Sequence, residues 1–156
     1  MTVTIRRADL DSADLRAFLQ AHLDDMEPTA PPESRHALDL SGLRRPGVRV
    51  WTAHLDGTLV GTVALAPLEP GHEELKSMRT DPASRGRGIA SALLRHAVAD
   101  ASERDIRRIS LETGSMEFFA PARALYAKHG FEPCAPFGAY TDDPSSAFLA
   151  CDLPVP

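Results

Sequence analysis

Lysine is scarce in this sequence, and acidic residues outnumber basic ones. Lys76 and Lys128 are the two lysines among 17 basic residues, against 22 acidic residues, so the net charge is −5. A protein surface that binds nucleic acid normally carries an excess of basic residues. We therefore expect no nucleic-acid partner, and we attribute the strong preference for arginine over lysine to the base composition of the source genome.

Long apolar runs, metal-ligand patterns and a secretory signal are absent as well. No stretch approaches the roughly 18 apolar residues of a membrane-spanning helix, and Met1 to Arg7 lead into strand-like alternation without an apolar signal core. The two cysteines, Cys134 and Cys151, and the six histidines lack metal-ligand spacing. We therefore expect a cytoplasmic protein with free thiols, no membrane contact and no metal.

What the sequence does contain is the composition of an ordinary globular protein. A length of 156 residues with 43% hydrophobic and 25% charged residues suits one core, so we predict a single domain over residues 1–156. Periodicity and turn residues predict a mixed α/β order. The predicted strands are Val3–Arg7, Val48–Leu55, Thr58–Ala66, His72–Thr80, Ile109–Thr113, Pro133–Phe137 and Ala147–Leu153, and the predicted helices begin near Ser12, at Pro32, after Gly88 and at Ala120.

The segment Ser84-Arg85-Gly86-Arg87-Gly88-Ile89-Ala90 lies between a predicted strand and a predicted long helix. Its glycines let the main chain approach a ligand closely, and the free N–H groups at a helix start attract anions. Arg85 and Arg87 add donors suited to phosphate oxygens. The segment lacks the features of a P-loop or a dinucleotide fingerprint. It therefore indicates a phosphate site of another kind, or a glycine-rich turn that merely starts a helix.

Two motifs resemble those of the GCN5-related N-acetyltransferases, the GNAT superfamily. Arg85-x-x-Gly88-x-Ala90 is similar to the acyl-CoA loop of that superfamily, and Ala122-x-x-Leu125-Tyr126-x-x-x-Gly130-Phe131 is similar to its second signature. The order of predicted elements matches the same fold along nearly the whole chain. The resemblance implies a mixed α/β GNAT fold, with a central, mostly antiparallel and splayed sheet of about seven strands and four helices.

The resemblance also implies where acetyl-CoA binds. Its pyrophosphate would lie on the N–H groups of the glycine-rich turn, and its pantetheine arm would pair like an added strand with the end of the strand His72–Thr80. Such pairing needs an open strand edge, which the superfamily makes by splaying the strands that correspond to His72–Thr80 and Ile109–Thr113. The implied acetyl-CoA contacts are Met78, Arg79, Thr80, Arg85, Gly86, Arg87, Gly88, Ile89 and Ala90.

Tyr126 is the implied general acid. It matches the superfamily tyrosine that protonates the departing CoA thiolate, and a phenol is mostly protonated at neutral pH. The alternative is a helix tyrosine that simply packs against Phe119 or Phe131. Many members of the superfamily carry Asn seven residues before the tyrosine, where this sequence has Phe119 in a segment offset by a short insertion. Contacts at the start of that helix are therefore not carried over, whereas Tyr126 keeps its spacing to Gly130-Phe131.

Three glutamates compete for the role of general base, which must take a proton from the acceptor ammonium. Glu112, at the end of a strand beside the implied acyl-CoA cleft, resembles the base position of some members. Glu74 and Glu73 are rivals on the neighbouring strand, where several other members carry the base. Strand alternation puts Glu73 and Glu74 on opposite faces, so at most one of them points into the cleft. All three could instead be solvated carboxylates at strand ends.

The resemblance implies that the acceptor meets the first two helices and the last hairpin loop, here Glu27–Leu38 and Phe137–Ser146. An arginine or histidine in the first segment could hold a carboxylate of the acceptor, whereas the tyrosine and aspartates of the second could line a site for an amine. Exposure of a surface loop would explain both clusters equally well. The candidate acceptor residues are Glu33, Ser34, Arg35 and His36 in the first segment, and Tyr140, Asp142 and Asp143 in the second.

The sequence therefore predicts an N-acetyltransferase that moves the acetyl group of acetyl-CoA directly to the amine of a small metabolite or amino-acid-like acceptor. Segments Leu75–Thr80, Leu111–Met116 and Pro136–Pro144 are similar to a bacterial subgroup of small GNAT proteins, some of which are linked to indole-3-acetic acid. Three alternatives stay open: a non-catalytic acyl-CoA-binding sensor, a protein N-terminal or lysine acetyltransferase, and an enzyme that acts on a nucleotide phosphate. A homodimer is one assembly that the resemblance allows.

Overall fold

The computed structural model describes residues 2–26 and 40–154. Within them, strands and helices follow the order that the sequence predicts. The strands are β1 (Val3–Arg7), β2 (Arg49–Leu55), β3 (Thr58–Glu69), β4 (His72–Thr80), β5 (Arg108–Gly114), β6 (Glu132–Pro133) and β7 (Ser146–Asp152). The α-helices are α1 (Ala13–Met26), α2 (Leu40–Leu43), α3 (Ile89–Glu103) and α4 (Ala120–Lys128), and short 3-10 helices lie at Pro82–Ser84 and Glu117–Phe119.

The seven strands of the described residues form one sheet in the order β1-β2-β3-β4-β5-β7-β6. Neighbouring strands run antiparallel except for β4 and β5, which are parallel. The β2–β3 hairpin turns at Asp56 and Gly57, whose φ angles of 51° and 84° suit the type I′ turn that matches the twist of paired strands. The predicted mixed α/β class and mostly antiparallel sheet are thus confirmed.

The sheet opens between β4 and β5. Their parallel pairing stops after Leu75, which lies opposite Leu111. Just beyond, the β3–β4 register shifts by one residue and Ser77 adopts a φ of 55°, the marks of a β-bulge, while Thr62 Oγ1 donates a hydrogen bond to the Ser77 carbonyl at 2.7 Å. Because a bulge bends its strand, β4 turns away from β5 here. Met78–Thr80 therefore present a strand edge to the opening, as the predicted splay requires.

Apolar side chains cover both faces of the sheet. On one face, α3 and α4 pack over the middle of the sheet, and each fully buried leucine contributes about 1.5–3 kcal/mol. On the other face, α1 and α2 make a smaller cluster. Helices therefore cover both faces of the sheet, and they flank the place where β4 separates from β5. The first cluster includes Leu75, Leu93, Leu94, Ile109 and Leu111, and the second consists of Leu15, Leu19, Leu43, Val50 and Ala64.

The last hairpin differs from the sequence expectation. The predicted strand Pro133–Phe137 is wrong, because β6 contains only Glu132 and Pro133 and residues 134–145 form a loop. Proline lacks the N–H donor of a strand ladder, and Pro136 is followed closely by Gly138 at a φ of 58°. The chain therefore leaves the sheet early and forms a long loop over the face that carries α1 and α2.

Further expectations from the sequence concern the end of β3, the second predicted helix, the two cysteines and membrane-spanning helices. β3 continues to Glu69 instead of ending at Ala66. The predicted helix from Pro32 lies mostly outside the described residues, which contain α2 at its end. Cys134 and Cys151 are free thiols, as predicted. Among the residues that the structure describes, no helix is both long enough and apolar enough to cross a membrane.

Candidate active site

The helix α3 begins at a tight turn that exposes its first N–H groups. Gly86 and Gly88 have φ angles of 80° and 78°, a region that is costly for residues with a Cβ, and Gly88 is the residue that precedes α3. A Cβ added at either glycine would meet nothing within 4 Å, so the space beside the turn is open. The positive end of the α3 dipole and its N–H groups can therefore receive a phosphate.

A cavity of about 430 Å³, here called the β4–α3 cavity, joins this turn to the free edge of β4 and the start of α4. Eight of the nine residues predicted to contact acetyl-CoA line it; the exception is Arg87, which is exposed and outside the wall. Thr80 Oγ1 is buried and finds no hydrogen-bond partner among the described residues. A strand edge, an orphaned hydroxyl and a phosphate-binding helix start together fit an extended acyl-CoA.

Phe119 forms an apolar part of the wall of this cavity. Gly114 makes room for it, because a Cβ on Gly114 would lie 1.9 Å from the Phe119 ring. Arg123 Nη1 fixes the chain around Gly114 by donating to the carbonyl oxygens of Gly114 at 2.7 Å and Met116 at 2.9 Å. Phe119 is the last residue of the 3-10 helix Glu117–Phe119, and its ring packs against Gly114 in the wall of the cavity.

Tyr126 on α4 is buried, and its ring centroid lies 5.8 Å from that of Phe131. Tyr126 therefore packs against Phe131, and its role as general acid stays a prediction. Burial raises the pKa of Tyr126 above its ordinary value, and the negative charge of Glu112 raises it further. The phenol is consequently protonated at neutral pH and lies within electrostatic reach of a carboxylate.

Glu112 occupies the opening between the strands. It follows Leu111, the last β5 residue paired with β4, and its side chain is half-buried. Because Leu111 packs into the α3 face, alternation turns Glu112 to the opposite face. Its charge also contributes to the raised pKa of Tyr140. Of the three predicted carboxylates, Glu112 is the one whose charge raises the pKa of both Tyr126 and Tyr140.

Glu73 has a partner that accounts for its burial. Its two carboxylate oxygens accept hydrogen bonds from Arg104, the residue that follows α3, at 2.8 and 2.9 Å, and Arg104 also donates to Asp100 at 2.8 Å. Glu73 therefore faces α3, on the side of the sheet opposite Glu74, as strand alternation predicts. This contact ties the end of α3 to β4 and engages both oxygens of Glu73.

Glu74 lines a second cavity of about 510 Å³ on the face that carries α1 and α2. The second cavity lies under the loop 134–145, and Glu74 accepts hydrogen bonds there from Lys76 at 3.2 Å and from the Tyr140 hydroxyl. Burial raises the pKa of Tyr140, and the charge of Glu74 adds to the rise, so Tyr140 is the donor to Glu74. The charged and phenolic residues that line this cavity are Arg45, Glu74, Lys76, Tyr140 and Asp143.

The predicted acceptor residues have mixed outcomes. Tyr140 lines the second cavity, whereas Glu33, Arg35 and His36 lie outside the described residues. Sequence reasoning missed Lys76, which lines the second cavity. The signal was its rarity, as one of two lysines, and its spacing of two from Glu74 in a strand, which places both side chains on one face.

Comparison with known proteins agrees with this geometry. Residues 15–131 match the acetyltransferase (GNAT) family. The chain is 44% identical to the uncharacterized N-acetyltransferase YedL of Escherichia coli K12, over 96% of this chain and 94% of the relative. It is 42% identical to the uncharacterized N-acetyltransferase YsnE of Bacillus subtilis 168 over 96% and 99%, and 39% identical to the IAA acetyltransferase of Azospirillum brasilense over 84% and 83%.

Solved structures share the fold. A GNAT-family acetyltransferase of Staphylococcus aureus Mu50 has a TM-score of 0.78 at 21% identity, over 97% of this chain and 99% of that one. PaiA N-acetyltransferase of Thermoplasma acidophilum, in complex with coenzyme A, has a TM-score of 0.71 at 16% identity over the same shares. The chain belongs to the GNAT acetyltransferase family. It is an acetyl-CoA-dependent N-acetyltransferase, as the family match and the named relatives agree.

Proposed function

We propose that this acetyltransferase moves the acetyl group directly to the amine of a small metabolite or amino-acid-like acceptor, without a covalent enzyme intermediate. The observation that carries the proposal is the position of Glu112, which lies at the β4–β5 opening and acts electrostatically on buried Tyr126. Direct transfer needs a base for the amine and an acid for the leaving thiolate in one cleft. In this proposal Glu112 is the base and Tyr126 is the acid.

In this proposal acetyl-CoA binds along the β4–α3 cavity. Its pantetheine arm pairs with the free edge of Met78–Thr80, because an extended chain can add to an open strand edge. Its phosphates accept hydrogen bonds from the N–H groups of Gly86 to Ala90 and from the Arg85 side chain. Support comes from the lining of the cavity and from the buried Thr80 hydroxyl, which would gain a partner.

The reaction begins when Glu112 takes a proton from the acceptor ammonium, directly or through water. The neutral amine attacks the thioester carbonyl carbon, so an N–C bond forms, and the C–S bond then breaks with its electron pair leaving on sulfur. Tyr126 gives its hydroxyl proton to the CoA thiolate. The acceptor nitrogen loses two protons in all: one restores Tyr126 and the other goes to solvent, which leaves the N-acetylated product and CoA.

The electrostatic effect of Glu112 on Tyr126 would make the two proton transfers support each other. While Glu112 is ionised, its charge and the burial of the phenol keep the pKa of Tyr126 raised, so Tyr126 holds its proton until the amine attacks. After Glu112 has accepted a proton its charge is gone. The repulsion on a developing tyrosinate then falls, and Tyr126 becomes a stronger acid as the thiolate departs.

The test is an assay of CoA release with purified protein, acetyl-CoA and a panel of primary amines. Tyr126→Phe keeps the ring that packs on Phe131 and should lower kcat on the order of 100-fold, while stabilisation by CoA in a thermal-shift assay persists. Full activity in this variant would refute the acid role. Stabilisation by CoA without turnover of any amine would favour a sensor, and stabilisation by ATP or NAD alone would favour a nucleotide-phosphate enzyme.

A further inference from the structure

Three polar side chains form a closed network in the wall of the second cavity. Lys76 Nζ donates to Glu74 Oε2 at 3.2 Å and to the Tyr140 oxygen at 2.9 Å, and the Tyr140 hydroxyl donates to the same Glu74 oxygen. The side chains of Lys76 and Glu74 are only 11% and 9% exposed. A buried ion pair adds little net stability because desolvation offsets its attraction. Stability therefore does not explain a charged network beside a cavity.

The network leaves one N–H donor on the cation, while the charge of its carboxylate is already balanced. An ammonium has three N–H donors, and Lys76 uses two of them for Glu74 and Tyr140. The negative charge of Glu74 is already balanced by the ammonium of Lys76, and Glu74 Oε2 accepts two hydrogen bonds. Asp143, the other carboxylate that lines the cavity, accepts the backbone N–H of Ser145 at 2.8 Å and so holds its own loop. The cavity therefore offers cationic donors, because Arg45 lines it as well.

We propose that the second cavity binds an acceptor that carries a carboxylate as well as its amine, and that Lys76 and Arg45 hold the carboxylate. This proposal rests on the acetyltransferase function proposed above and names its acceptor class, a small amino acid. Ammonium and guanidinium groups bind carboxylates through charge-assisted hydrogen bonds. A diamine or polyamine would instead place its second ammonium beside the ammonium of Lys76, with which the carboxylate of Glu74 is already paired.

The same arrangement directs the amine of such an acceptor to the proposed base. Leu75 opposite Leu111 is the last β4–β5 pair and packs into the α3 face, so Lys76 and Glu112, the next residues, flank the opening on the other face. The charge of Glu112 also acts on Tyr140 of the network. A carboxylate at Lys76 thus leaves the other end of a small molecule beside Glu112.

Matched pairs of acceptors test this proposal, each pair being an amino acid and the amine that lacks its carboxylate. β-Alanine with ethylamine, 4-aminobutyrate with propylamine and phenylalanine with phenethylamine are suitable pairs, assayed by CoA release. We expect at least one amino acid to exceed its matched amine in kcat/KM by about tenfold or more, the effect of one charge-assisted hydrogen bond. Lys76→Met should raise KM for that amino acid by about 10- to 100-fold, and its preference over the amine should fall by the same factor.

Two further variants make the test specific. Arg45→Gln alters an exposed residue and should reduce the same preference in the same direction. Lys128→Met replaces the other lysine of the chain, exposed at the end of α4, and should leave KM for every acceptor unchanged. Lys76→Met leaves Glu74 as a buried unpaired charge, so Glu74→Gln with Lys76→Met is measured alongside, and the melting temperature reports whether each variant folds.

The outcomes separate this proposal from the one on which it rests. A higher kcat/KM for the amines than for the amino acids, or an equal loss for both members of a pair in Lys76→Met, would overturn the amino-acid proposal and leave acetyl transfer intact. The absence of turnover with every acceptor would overturn both. A selective loss of the amino-acid preference in Lys76→Met and in Arg45→Gln, but not in Lys128→Met, would support it.

Discussion

Replacing Gly114 by alanine should disturb the wall of the β4–α3 cavity. The added Cβ would lie 1.9 Å from the Phe119 ring, whereas carbon atoms in contact sit about 3.5–4.0 Å apart. The ring, or β5 itself, must therefore move by roughly 2 Å. Overpacking of this size costs about 1–3 kcal/mol, and the lower entropy of alanine in the unfolded chain offsets only about 0.4–1 kcal/mol. The net effect is destabilising.

Thermal unfolding and steady-state kinetics would measure the effect of Gly114→Ala. For a chain of this length, we expect the melting temperature to fall by about 2–8 °C. The KM for acetyl-CoA should rise several-fold, because Phe119 lines the cavity that we assign to acetyl-CoA. Adding Phe119→Leu to Gly114→Ala should recover part of the stability, with a coupling free energy of about 1–2 kcal/mol between the two sites.

The control for Phe119→Leu is Phe118→Leu, because Phe118 is 53% exposed and the three atoms nearest to a Cβ on Gly114 all belong to Phe119. This neighbouring change should not rescue Gly114→Ala. The steric reasoning is refuted if Gly114→Ala melts at the temperature of the parent protein with an unchanged KM. It is refuted as well if the effects of Gly114→Ala and Phe119→Leu are simply additive.

Three more outcomes are expected. Glu73→Gln should lower the free energy of unfolding by about 2 kcal/mol without lowering kcat, because Glu73 is bonded to Arg104 on the α3 face; urea denaturation with parallel kinetics checks both parts. Gly88→Ala should weaken CoA binding in calorimetric titration, since a φ of 78° costs an alanine about 1–2 kcal/mol; unchanged affinity would contradict the role of the turn. Glu112→Gln should bring the pKa of Tyr126 down towards its ordinary value, because removing the negative charge removes a repulsion on tyrosinate; near-ultraviolet absorbance titration would show tyrosinate at lower pH, and an unmoved titration would mean that the two groups are not coupled.

The wall of the β4–α3 cavity could be predicted from the sequence because local signals mark its parts. Gly71 precedes the strand His72–Thr80 and Asp81-Pro82 follows it, so the bounds of β4 agree with the prediction. The glycines of the turn before α3 have the positive φ angles that their position suggests. One strand end and one helix start supply most of the lining. Residues that are adjacent in sequence stay adjacent in each of these segments, so a correct segment prediction places most of the wall.

The network of Glu74, Lys76 and Tyr140 could not be predicted, because it joins positions 64 and 66 residues apart. Alternation shows that Glu74 and Lys76 share a face, but no local pattern brings Tyr140 back onto β4. That contact depends on a loop held by rings: Tyr140 lies 5.1 Å from Phe137 and 5.6 Å from Phe148 between centroids. A separation of 31 residues likewise hides the Glu73–Arg104 contact, which decides that Glu73 faces α3 and not the cleft.

The bulge at Ser77 explains why one strand serves two cavities. Before it, Glu74 and Lys76 line the second cavity; after it, Met78–Thr80 line the β4–α3 cavity. The extra residue shifts the β3–β4 register and so resets which side chains face which layer. A period-two pattern read through Ser77 assigns the wrong face to one half of the strand, since the insertion leaves no mark in the hydrophobic pattern. The separation of the proposed acyl-CoA edge from the proposed acceptor wall on β4 therefore follows from backbone geometry at one residue, and the resemblance to the family predicted the edge where alternation could not.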